Sequence, residues 1–160
     1  ERAIDATAVE RVTVETYPAA AALDGTSPRN SLQAKFSVPF AVATAIVNGD
    51  SGPPAFRDDA ITEETLTLAQ RVDVVVDDEF AARAPEQRGA RVTIDAGGSA
   101  RTASVAAAQG GEHDPFSPEA LREKFHALTA PVLGDEQATT LRQAVQDDAS
   151  AREVCALATR

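Results

Sequence analysis

At 160 residues the chain is long enough for one domain, and a chain of about 150 residues buries ~70% of its unfolded surface. Hydrophobic residues make up 43% but aromatic ones only 4%, so the core is expected to be built from Ala, Val, Leu and Ile with the six Phe in support. Fifteen Lys and Arg against 25 Asp and Glu leave a formal charge of -10, which repels phosphates and anionic lipid surfaces and argues against nucleic acid or a membrane as partner.

No run approaches the roughly 18 apolar residues of a membrane helix, and no basic-then-apolar leader stands at Glu1. The single cysteine, Cys155, has no internal disulfide partner and fits a reducing compartment, so a soluble, cytoplasmic chain is expected. The chain has no methionine, and one that begins at Glu1 without any is expected to be the remaining part of something longer.

Val9 to Tyr17, "VERVTVETY", alternates apolar and polar residues with β-branched side chains, the signature of a half-buried strand. Turn chemistry in "DGTSPRN" follows, and a long loop is expected there. Leu32, Phe36, Phe40, Ala43 and Val47 recur at helical spacing, but Pro39 is tolerated only in a first turn, which places the helix start at Ser37 and its stop at Asn48 and Gly49. Thr62 caps a short helix with Glu63 and Glu64 in its first turn, ending near Gln70. "RVDVVVDD" is a second strand, and "GARVTIDAGGSARTASVAAA" gives two more joined by a Gly97-Gly98 turn.

Ser117, Pro118 and Glu119 mark the start of a helix whose apolar stripe is Leu121, Phe125 and Leu128. A second helix, "DEQATTLRQAVQDD", is expected to bury Ala138, Leu141 and Val145, and Ser150 with Glu153 forms the capping box of a last one carrying Val154 and Leu157. The fold class predicted is α+β: a single domain over 1–160, with a small four-stranded sheet, a central hairpin and about five helices, the last three at the C-terminus.

Lys35 is one of only two lysines and stands two residues before the predicted helix start. Unpaired amides at a helix N-terminus carry partial positive charge, so Lys35 and the Ser37 start together would seat a carboxylate or phosphate; a solvated lysine beside an ordinary cap is the plain alternative. Two histidines are too few for most metal sites, and no metal is expected. His126 is expected at the surface; His113 stands beside Asp114, where a His-Asp dyad competes with a structural role in the loop before a helix cap. Cys155 is expected to pack as a small apolar residue, and the acidic pairs at Asp58, Asp77 and Asp147 to be solvated loop ends.

The segment "AKFSVPFAVATAIVNGD" resembles the A-K-F-S-[IV]-P-[YF]-A-x-A signature of the MmgE/PrpD family's C-terminal domain. "VERVTVETY", "LAQRVDVVVDDEF", "ARVTIDAGGSARTASV" and "GGEHDPFSPEALREKF" match that domain's strands, hairpin and G-x-x-x-[ND]-P-[LF]-S…KF segment in order, so the resemblance runs from about Ala3 to the end. It implies part of a lyase or isomerase of the 2-methylcitrate dehydratase, cis-aconitate decarboxylase or iminodisuccinate epimerase type. It further implies small di- and tricarboxylic substrates, no metal or organic cofactor, a large all-helical N-terminal domain as partner in cis or trans, and a homodimer.

Substrate-binding roles would fall on Lys35, Ser37 and Phe40, with the main acids and bases upstream of Glu1. Phe40 departs from several members, in which a tyrosine at this position faces the active site, so a hydroxyl able to donate a proton is missing here. The family's histidine after the first glycine of the "GGEHDP" loop is likewise Gly111 here, with His113 two residues on. Phe40, together with the family's junction lysine and histidine, which would precede Glu1, favours the alternative of a non-catalytic dimerisation or partner-binding domain, a remnant of such an enzyme.

Overall fold

The computed structural model describes residues 4–112 and 114–159. The chain forms two compact units, Glu1–Ala108 and Gln109–Arg160, and its class is α+β.

The first unit is organised by β1 (Val9–Thr16), which buries Val12, Val14 and Thr16 on one side and turns Arg11, Thr13 and Glu15 to the other. A register shift between Val9 and Arg11 lets Val9 join the buried side although it breaks the alternation. β1 pairs in parallel with β2 (Val72–Val76) and antiparallel with β3 (Ala90–Ala96), and β4 (Ser99–Val105) closes the order β2-β1-β3-β4. The β3-β4 hairpin turns on Gly97 and Gly98 at φ +56° and +75°, the left-handed pair that a two-residue turn requires.

A parallel neighbour needs a crossover, and the run between β1 and β2 supplies it as helices. α1 (Pro18–Ala21), α2 (Ser31–Lys35), α3 (Val38–Asn48) and α4 (Glu63–Ala69) follow in order. Ala43 of α3 and Leu68 and Ala69 of α4 close over Val9, Val12, Val14 and Val72, the small-residue core that the composition predicts. Each fully buried Val contributes about 1.5 to 3 kcal/mol of transfer free energy. The other side of the sheet is polar: Arg11 lies 2.8 Å from Asp73, and Arg91 stands 3.4 Å from Glu15 and 5.5 Å from the centre of the Phe80 ring.

The four strands, the hairpin, the three C-terminal helices and the starts of α3 and α4 stand where the sequence places them. Three further helices do not. Pro18 opens α1 on an alanine run, and Asn30 caps α2 by accepting from the Gln33 amide at 2.9 Å, so the expected long loop is largely helical. The periodicity that begins at Leu32 is interrupted because the Pro39 ring would clash with the Lys35 carbonyl in a continuous helix, and the chain restarts at Ser37. α5 (Asp78–Arg83) follows β2, with Asp77 accepting from the Glu79 and Phe80 amides; this acidic pair is a cap, not a solvated loop end.

The second unit holds α6 (Pro118–Leu133), α7 (Asp135–Gln146) and α8 (Ala151–Leu157), capped at Ser117 and Ser150 as predicted. Among its described residues only Ala138 and Leu141 are buried. Leu121 and Leu128 of the expected apolar stripe are 53% and 46% exposed, Val145 is 52% exposed and Cys155 is exposed, contrary to the expected burial. A three-helix unit of this size has too little volume to cover both flanks of each helix.

Candidate functional site

From Gly25 to Gly49 the chain carries Arg29 and Lys35 and no Asp or Glu, although 25 acidic residues occur in the whole sequence. This acid-free run spans α2 and α3. Lys35 occupies the last turn of α2, where its charge complements that helix's C-terminal dipole, and it is exposed with no ion pair among the described residues. Leu32 and Phe36 flank it, one turn apart, at 67% and 61% exposure, the highest of the large hydrophobic residues described.

Beneath this surface the α2-α3 junction is tightly bonded. The Ser37 hydroxyl accepts from the Phe40 amide at 2.9 Å and donates to the Gly25 carbonyl, and Ser37 is buried. The Val38 amide donates to the Leu23 carbonyl at 2.8 Å, Pro39 has no amide hydrogen, and the Ala41 amide donates to the Ser37 carbonyl at 3.0 Å. The unpaired donors expected at this helix start are therefore all taken, because the loop at Leu23–Gly25 folds back onto it. Phe40 has no exposed surface and meets Phe56 edge-on, ring centres 6.0 Å apart. Lys35, Ser37 and Phe40 thus share one junction, with only Lys35 at the surface.

A groove of about 360 Å³ opens beside the junction, lined by Ser27, Pro28, Arg29, Gln33, Phe36 and the edge of Ser37. The Gln33 side-chain oxygen accepts from the Arg29 backbone amide at 2.7 Å, which fixes the orientation of the carboxamide and leaves its Nε2 as a donor. Sequence reasoning missed Arg29; the signal that finds it is the absence of acidic residues around it.

The remaining candidates lie apart from this junction. His113 falls outside the described residues. His126 is at the surface as expected, its Nε2 3.0 Å from Asp135 across the α6-α7 turn. Two carboxyls are held below their ordinary range by a hydroxyl first and the backbone amide of the same residue second: Asp5 by Thr7 and Glu153 by Ser150. Among the described residues no group of three or more His, Cys, Asp or Glu stands ready to hold a metal ion, and no helix is long and apolar enough to cross a membrane.

No curated protein matches the chain. A profile of the MmgE/PrpD C-terminal domain matches residues 1–149, which takes in the whole sheet, the α2-α3 junction and the helices through α7. A match of that extent, across both units, makes the chain a member of the MmgE/PrpD C-terminal domain family.

Proposed function

We propose that the chain is the C-terminal part of a cofactor-independent lyase or isomerase acting on small di- or tricarboxylic acids, and that Lys35 supplies positive charge to a substrate carboxylate. The observation that carries this reading is the acid-free run around an exposed Lys35 in a chain of net charge -10. Ser37 and Phe40 serve by holding the α2-α3 junction beneath it. The exposed Leu32 and Phe36 give this surface an apolar rim of the kind that protein partners cover, which suits docking of a helical domain, in cis or trans, that brings the general acids and bases.

The test is turnover of cis-aconitate and 2-methylcitrate by the chain alone and with an added helical domain; turnover by the chain alone refutes this division of labour. In the complete enzyme, Lys35→Ala is expected to raise KM by about tenfold or more, the loss of a charge-assisted contact worth about 1.5 to 3 kcal/mol. An unchanged KM returns Lys35 to the solvated surface.

A second reading is a non-catalytic dimerisation or partner-binding domain derived from such an enzyme. It is favoured by Phe40, which offers no hydroxyl and is sealed in the core, together with the exposure of Leu32 and Phe36. Concentration-dependent dimerisation without turnover, in the presence of the helical domain, would select it.

A further inference from the structure

The geometry points to a second anion seat, separate from Lys35, in the groove of Ser27, Arg29, Gln33 and Phe36: it takes a carboxylate borne on a short hydrocarbon stem. The inference rests on the proposed action on polycarboxylic acids for its ligand class, but its residues are different, since Lys35 does not line the groove.

The polar side chains that line the groove are donors without a competing carboxylate. Arg29 is exposed and has no ion pair among the described residues, so its planar fork is available to an incoming carboxylate in two-point geometry. Gln33 is preset: its oxygen accepts from the Arg29 amide, which fixes the carboxamide orientation and makes Nε2, which can only donate, its donor end. Ser27 adds a hydroxyl that can turn to donate. Ser37, at the groove's edge, is already saturated by Gly25 and Phe40 and contributes shape only.

Phe36 and Pro28 provide the apolar wall against which a methylene stem would lie. Two acidic groups border this segment: Asp24, the exposed chain neighbour of the lining residue Gly25, and Asp58, which accepts from the Ser31 amide at 2.5 Å and so spends one oxygen on the backbone of α2. A cation would find no carboxylate among the described lining residues; an anion finds three side-chain donors.

The full chain is titrated with tricarballylate at constant ionic strength, followed by amide chemical shifts, with propane-1,2,3-tricarboxamide as the uncharged control. Saturating shifts at Ser27, Arg29 and Gln33 are expected with the acid and none with the amide. Arg29→Gln is expected to weaken binding about fivefold or more, and Arg29→Lys to recover part of it, because a point charge lacks the fork. Lys35→Ala should leave the shifts at Ser27 and Gln33 in place.

No shifts in the groove at millimolar tricarballylate, equal shifts with the amide, or an Arg29→Gln variant that binds as well as the parent each overturn the second seat. If Lys35→Ala loses affinity while Arg29→Gln does not, the groove fails and the Lys35 reading survives. If Arg29→Gln loses affinity and Lys35→Ala does not, the groove stands and Lys35 drops out.

Discussion

Replacing Ser37 by Ala removes two hydrogen bonds at one atom: the cap on the Phe40 amide and the bond to the Gly25 carbonyl. The lost cap costs about 1 kcal/mol, and the second bond about 1 kcal/mol more. Both the Ser37 side chain and Phe40 are buried, so water cannot replace either partner without moving the junction. The total of about 2 kcal/mol lowers the urea midpoint by about 1.3 M at a slope of about 1.5 kcal/mol/M. Lys35→Ala, at an exposed site without an ion pair, is expected to change stability by less than about 0.5 kcal/mol. Urea unfolding followed by far-ultraviolet circular dichroism measures both, and Ser37→Thr, which keeps the hydroxyl, should recover part of the loss. A Ser37→Ala midpoint within about 0.3 M of the parent would show that the hydroxyl does not hold the junction. A Lys35→Ala loss as large as that of Ser37→Ala would show Lys35 to be a structural residue, unavailable to a ligand.

Two further outcomes follow from the same contacts. Gly89→Ala would place a methyl 2.7 Å from the Val105 carbonyl oxygen, 2.8 Å from that of Ala106 and 2.9 Å from the Phe80 ring, so a loss of about 1 to 3 kcal/mol is expected by calorimetry, whereas Gly25→Ala, with nothing within 4 Å, should lose far less. Glu153, held below its ordinary value of 4.5, protonates first in the unfolded chain as pH falls. Its contribution to the α8 cap is therefore complete above pH 4.5 and lost as pH drops through the lower folded value. Hydrogen exchange at the Val154 amide should separate the parent from Glu153→Gln at pH 7 and by less as the pH is lowered below 4.5, and a difference that does not shrink with falling pH would refute the assignment.

Most of the architecture is legible because its signals are local. Alternation in "VERVTVET", the Gly97-Gly98 pair and the Ser-Pro and Ser-x-x-Glu caps each specify an element within a few residues. What escapes is set by chain segments far apart. The amides of α3 are satisfied by Leu23 and Ser37, and a loop twelve residues upstream supplies the carbonyl that saturates the Ser37 hydroxyl, which nothing in the spacing of Lys35, Ser37 and Pro39 announces. Helix α2 hides inside a periodic run that also fits one longer helix, and only the consequence of Pro39 for the Lys35 carbonyl divides it. The chemistry of Cys155 and Val145 favours burial, but the second unit is too small to enclose them.

The central strand of the sheet has both of its partners downstream, β2 and β3, with the run from Tyr17 to Arg71 intervening before the first of them arrives. During synthesis β1 therefore waits with two open edges through several helices' worth of chain, the condition in which strands recruit foreign strands. Closure over so long a connection is slow. A fragment ending before Val72 would lack the strand that completes this crossover, and its failure to bind acids would say nothing about the chemistry of Lys35 or Arg29.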